Sequence, residues 1–140
     1  MRDGEKPLKL RAYDLEDLSI LSGMVQDSLV PLADMRFMAD EGSFILALNR
    51  FCWERDDGAP PYARVHSGLR FDFVRKVARR GIDGRARDKL LSLLAIAYHD
   101  GTVVLTFSGD GAIRLDVEKL TVALEDLGPT WPTDWKPGHS

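Results

Sequence analysis

Two Asp-Gly turns, set one short alternating segment apart, constrain this chain more than any other feature. From Leu90 to Trp131 it runs LLSLLAIAYHDGTVVLTFSGDGAIRLDVEKLTVALEDLGPTW. Asp100-Gly101 and the tract Ser108-Gly109-Asp110-Gly111 signal hairpins, because the favoured two-residue turn needs a positive φ at both central positions, which Gly adopts freely and Asp tolerates. The segments they join predict a three-strand meander. Leu90, Leu94, Ile96 and Tyr98 alternate with Leu91, Leu93, Ala95 and Ala97, the pattern of a central strand covered on both faces. Val103, Leu105 and Phe107 point inward from the second strand, and Ile113 and Leu115 from the third. Asp116 then reads as the N-cap of a helix over 117–127, with an apolar stripe of Val117, Leu120, Leu124 and Leu127 and a stop at Gly128 and Pro129.

Upstream, the alternation of Leu8, Leu10 and Ala12 with Lys9, Arg11 and Tyr13 predicts a short edge strand. Asp14 caps a helix predicted over 15–26, with Leu15, Leu18, Leu21 and Val25 on its apolar side, acidic residues in its first turn, and Gly23 weakening its end. Segments 28–38 and 43–54 form a hairpin about the turn Ala39-Asp40-Glu41-Gly42, and Pro31, which has no N–H to donate, marks an edge or a bulge. In its second strand Phe44, Leu46, Leu48 and Cys52 share one face, and Ile45, Ala47, Phe51 and Trp53 the other. The Gly- and Pro-containing stretch 55–62 is a loop. Ala63, Val65, Leu69, Phe71 and Phe73 then point one way while Arg64, His66, Arg70 and Asp72 point the other, and Gly68 with the phase break at Val74 predicts a bend or bulge. Residues 75–89 read as a basic connector, and the Pro- and Trp-containing tail as extended chain.

These elements predict an α+β single domain over 7–135, with flexible termini at 1–6 and 136–140. The expected architecture is a strongly bent antiparallel sheet or partly open barrel of six to seven strands, with a C-terminal capping helix, as in pleckstrin-homology domains, and an additional N-terminal helix. An open sheet with both helices on one face is the alternative. A formal charge of −3 is too acidic for a dedicated nucleic-acid coat. Cys52 is the sole cysteine, so no internal disulfide forms, and the opening MRDGEKP resembles no signal peptide. The longest apolar run, Leu90–Tyr98, is about half of the roughly 20 residues a membrane-spanning helix needs, so no membrane span is expected and a reducing cytoplasm is the expected setting.

Taken together, FILALNRFCWE, RVHSGLRFDFV, LLSLLAIAYHDGTVVLTFSGDGAIRLDVE and LEDLGPTW resemble a family of short, mostly alphaproteobacterial proteins catalogued as a domain of unknown function. The resemblance covers about Leu8 to His139. It implies a bacterial, single-domain protein and carries no activity, cofactor or functional residue with it.

Functional constellations are few. Cys52, His66 and His99 are of zinc-binding type but lie on separate strands without a paired ligand spacing, and Cys52 between Phe51 and Trp53 reads as an inert core thiol. No cofactor is expected. Gly109-Asp110-Gly111 lacks the Lys and Ser/Thr of a phosphate loop and opens no helix, and the acidic pairs Asp40-Glu41 and Asp56-Asp57 fall in turns. The densest feature is basic: Arg64, Arg70, Arg75, Lys76, Arg79, Arg80, Arg85, Arg87 and Lys89 face only Asp72, Asp83 and Asp88 in the same stretch. Arg64, Arg70, Arg75, Arg79, Arg80, Arg85 and Arg87 are candidates for anion binding, against the plainer reading of a solvated strand face and loop. Trp131 reads as an anchor for the chain end and Trp135 as an interface residue. The favoured function is a non-enzymatic binding or assembly module with a protein partner or self-association. Phosphate or nucleic-acid binding through 64–89 is the alternative, and an enzyme of unrecognised type is the third reading.

Overall fold

The structure, a computed structural model, describes residues 7–138; 1–6 and 139–140, part of the termini expected to be flexible, lie outside the described residues. Its elements are β1 (Lys9–Ala12), α1 (Leu15–Val25), β2 (Ser28–Pro31), β3 (Met35–Met38), β4 (Ser43–Phe51), β5 (Tyr62–Phe71), β6 (Val74–Arg80), β7 (Leu90–His99), β8 (Thr102–Phe107), β9 (Ala112–Val117), β10 (Val122–Asp126) and β11 (Trp131–Thr133). The strands make one antiparallel sheet in the order β1-β10-β5-β4-β2-β7-β8-β9-β6, with β3 also on β4 and β11 also on β5. It does not close, since β1 and β6 end the path. The expectation of a six- to seven-strand barrel with a C-terminal capping helix is therefore corrected to an open sheet of eleven strands with one N-terminal helix, and the likeness to pleckstrin-homology domains falls with that helix.

The reason lies in 117–127. There Leu120, Val122 and Leu124 are buried while Ala123 and Glu125 are not, a period of two that the helical stripe Val117, Leu120, Leu124, Leu127 fits by coincidence. β-Branched Thr121 and Val122 favour extended chain. The segment also finds hydrogen-bonding partners on both sides, Leu124 standing between Leu10 of β1 and Leu69 of β5. Asp116 caps nothing; it pairs across from Lys76 and Thr102 in β9.

A second correction concerns the basic connector, whose first part is strand β6, running against β9 with Val77 opposite Leu115 and Arg79 opposite Ile113. β5 ends in a sharp bend at Asp72 and Phe73, the latter at φ 57, and this is the bend that Val74's phase break predicts. Phe73 consequently leaves the inward face and lies under the Lys119 ammonium, 4.3 Å from the ring centroid.

β7 is covered on one face, not two, and its register shifts between Leu93 and Ala95. Leu91 and Leu93 point inward before the bulge and Ile96 after it, which leaves Leu90 55% and Leu94 36% exposed. Ser22 of α1 accepts the Ile96 N–H on Oγ at 3.0 Å.

Other local expectations hold. Asp14 caps α1 by accepting from the N–H of Asp17 at 2.8 Å. Asp100 and Gly101 have φ of 48 and 76, and Gly109 and Asp110 of 74 and 64, as their hairpins require. Between β2 and β3 a single 3₁₀ turn at Leu32–Asp34, just after Pro31, splits the expected first strand, so that β2 crosses to β7 while β3 stays on β4. Leu18, Leu21 and Val25 of α1 join inward side chains of β4, β5, β7, β8, β9 and β10 in one core, and Val74 N–H bonds the Gly42 carbonyl at 2.8 Å where the curled sheet brings β6 back beside the β3–β4 turn.

Candidate functional site

The largest fully buried side chain is Arg50, at 0% exposure. It sits on the inward face of β4, two residues beyond Leu48, where strand alternation demands an apolar residue. Its guanidinium grips Glu54 through Nη1–Oε1 at 2.8 Å and Nη2–Oε2 at 2.9 Å, and Asp126 through Nε–Oδ1 at 3.2 Å and Nη2–Oδ2 at 3.0 Å. Asp126 also accepts from Ser67 Oγ at 2.7 Å and from Leu8 N–H at 2.9 Å. Burial disfavours the charged form of Arg50, but the hydrogen bonds to Glu54 and Asp126 outweigh it and raise the pKa; burial likewise opposes ionisation of Glu54, yet Arg50 holds its pKa below the ordinary value. Such a cluster, each charge meeting its opposite, fixes one end of the β4–β5–β10 layer. Sequence reading missed it. The signal was an arginine in phase with Phe44, Leu46 and Leu48, four residues before an acid.

The seven arginines singled out from the sequence do not form one patch. Arg64 lies on the outer face of β5, nearly buried, with Nη1 donating to the Asn49 carbonyl at 3.1 Å and its guanidinium 5.7 Å from the Phe51 ring centroid. Burial lowers its pKa. Arg70 is tied to Asp72 at 2.8 Å and Arg75 to Glu118 at 3.3 Å, and Arg85 to Asp83 at 3.3 Å. Asp72 is buried enough to oppose ionisation, but hydrogen bonds from Arg70 and Ser43 hold its pKa low. β5 and β6 also stand far apart in the sheet order. What the fold does bring together is Arg79, Arg80 and Arg114, around a depression of about 350 Å³ floored by Ala78 and Ala112.

Two further concavities flank these elements. A depression of about 630 Å³ lies on the outer face of β4, β5 and β10, with Ile45, Ala47, Gly68 and Ala123 among its lining. Leu127, 61% exposed, leans over Gly68, where an added Cβ would come within 3.4 Å of its Cδ1. Arg11, Arg70, Asp34, Asp72 and Glu125 supply charges of both signs. The other is a cavity of about 240 Å³ between β3 and β6, lined by Leu32, Met35, Phe37, Phe44, Val77, Ile82 and Ile113 together with Arg79 and Arg87.

The zinc-type residues are scattered. Cys52 is buried and its thiol is pushed up to about 11 by burial, His66 stacks on Trp131 at 4.7 Å between ring centroids, and His99 is an exposed neighbour of Asp100. No group of three His, Cys, Asp or Glu among the described residues is placed to hold a metal ion. Asp56 and Asp57 cap their own turn by accepting from Gly58 and Ala59 N–H. Trp131 does anchor the tail, through β11 against Tyr62–Arg64, while Trp135 stands 75% exposed. Among the described residues no helix is long and apolar enough to cross a membrane.

The chain matches, over residues 8–139, the family described as protein of unknown function DUF2948. It belongs to that family. No curated protein and no solved structure matches it.

Proposed function

We propose that this protein is a non-catalytic binding and assembly module, working in the bacterial cytoplasm, that associates with a second copy of itself through the outer face of β4, β5 and β10. The observation carrying this reading is the depression there, floored by Ile45, Ala47 and Ala123 with Leu127 standing exposed beside it. Water is poorly held by such a floor, and covering it removes apolar area at about 25 cal/mol per Å². Its charges favour a self-partner: besides the internal pairs Arg70–Asp72 and Lys9–Glu125, Arg11 and Asp34 lie in the same face, so a two-fold axis can set Arg11 of each copy against Asp34 of the other. Sedimentation velocity over a concentration series tests it. The wild-type chain is expected to dimerise, and Ala47→Glu and Leu127→Glu, both at exposed or half-buried sites, to remain monomeric with unchanged melting. A wild-type chain that stays monomeric up to millimolar concentration overturns the reading.

A second reading, binding of phosphate-bearing ligands such as nucleic acid, is favoured by one observation, the convergence of Arg79, Arg80 and Arg114. Binding to a short single-stranded oligonucleotide that weakens steeply with salt and is lost in Arg80→Glu with Arg114→Glu is its expected signature. Absence of binding at low salt removes it.

A further inference from the structure

At the cavity between β3 and β6 the curled sheet has no strand-to-strand hydrogen bonds across the gap, since β3 pairs with β4 and β6 with β9. We propose that this cavity is a binding site for a small amphipathic carboxylate, its apolar body held among Met35, Phe37, Val77 and Ile113 and its carboxylate by Arg79 and Arg87. Of the residues lining the cavity only these two are charged, and both are cations. Neither has a carboxylate within ion-pair distance among the described residues. Arg87 gives a single hydrogen bond, from Nη2 to the Ala33 carbonyl at 3.2 Å. Asp83 is the acid that feels Arg79, but its Oδ1 already accepts from the N–H and Nε of Arg85. Paired guanidinium groups with donors to spare at the edge of an apolar space suit a planar carboxylate, which they can clamp by bidentate bonds.

The loop 81–89 packs closely against the cavity. Gly81, at φ +69, passes so close to the Asp110 carbonyl that an added Cβ would lie 2.8 Å from it, and Gly111 lets Ile82 in at 3.0 Å on the same measure. The Arg79 guanidinium rests over Gly84, where a Cβ would stand 2.6 Å from Nη1. A side chain at Gly81 would meet backbone and disturb one wall of the cavity, and Gly111 leaves room for Ile82 over it. Size limits the ligand. A dry cavity of about 150 Å³ accommodates benzene, so one of about 240 Å³ takes a body of ~9 carbons. A medium-chain or aryl-substituted carboxylate fits; a long acyl chain does not.

This site shares no lining residue with the proposed self-association face, so each can fail without the other. Isothermal titration with octanoate, against octanol as the uncharged analogue, tests it on the intact chain. Octanoate is expected to bind and to raise the melting temperature, and octanol to bind at least tenfold more weakly. The double variant Arg79→Gln with Arg87→Gln, at exposed side chains, is expected to lose at least tenfold in octanoate affinity while keeping its melting temperature. Val77→Phe, which fills the cavity, is expected to abolish binding of both ligands. Octanol binding as tightly as octanoate, an unchanged affinity in the arginine variant, or no binding of octanoate to the wild-type chain overturns the proposal. Should Val77→Phe unfold the protein, the arginine variant alone decides.

Discussion

Arg50 and Asp126, 76 residues apart in the chain, face each other through two parallel hydrogen bonds, Nε to Oδ1 and Nη2 to Oδ2, in a setting where the arginine has no contact with solvent. Removing one partner leaves the other charge buried. Asp126→Ala should therefore cost about 3–5 kcal/mol in unfolding free energy, measured by urea denaturation, the range seen when half of a buried pair is deleted. Asp126→Asn keeps one acceptor oxygen, for Ser67 or for Leu8 but not both, and should cost less than the alanine. Equal stability of Asp126→Ala and wild type would refute this role.

Acid should loosen the fold through Glu54 and Asp72. Burial opposes ionisation of each, but Arg50 in one case and Arg70 with Ser43 in the other hold the folded pKa below its unfolded value. A depressed folded pKa means that the unfolded chain binds protons first as pH falls. Their contribution is thus full above the ordinary carboxylate range and is lost as pH drops through the depressed folded values. Glu54→Gln should flatten that part of the stability profile; a profile identical to wild type would contradict it.

Ser22 is expected to matter more than a polar residue on a helix usually does. Its Oγ accepts the N–H of Ile96 in β7 at 3.0 Å, tying the helix to the strand. Ser22→Ala would leave this donor unpaired at a cost of about 1–3 kcal/mol, and amide hydrogen exchange at Ile96 should accelerate. Unaltered exchange there would show that the contact contributes nothing.

Cys52 should be silent toward thiol reagents in the native state. Burial pushes its thiol to about 11, so little thiolate exists near neutral pH, and the sulfur is out of reach of solvent. Labelling with an alkylating reagent is expected to appear only as denaturant unfolds the chain. Rapid labelling without denaturant is the opposing result.

The legible parts of the fold were those whose cause is local. Asp14, Asp100-Gly101 and Gly109-Asp110 act on the residues beside them, and the alternation of β8 and β9 needs only a core to face. The segment 117–127 misled because a short apolar pattern satisfies both helical and strand periods, and what decided between them was the open edge of β5, supplied by residues far away in sequence. The bulge in β7 inverted half of an otherwise faithful alternation, exposing Leu94. In β6 only Val74 and Val77 turn to the core among five charged or small neighbours, and their spacing of three does not read as strand alternation. As for function, the density of arginines was visible but their distribution was not: Asp72 and Asp83 sit two residues from the arginines they pair with, whereas Glu118 reaches Arg75 only once the sheet is folded. The cavity beside Arg79 and Arg87 exists only between two strands that the sequence does not bring together.

One consequence follows from the place of β10, wedged between β1 and β5. During synthesis β1 leaves the ribosome well before 122–126, the segment it pairs with. Until 122–126 has been made, that flank of β5 and β1 both wait with amides unpaired, and the Arg50 guanidinium lacks one of its two acids. Non-local closure of this kind is slow and leaves sticky edges on show in the meantime. Truncations that remove 122–126 should hence be far more damaging than the loss of five residues would imply, since they strand β1 as well as β10.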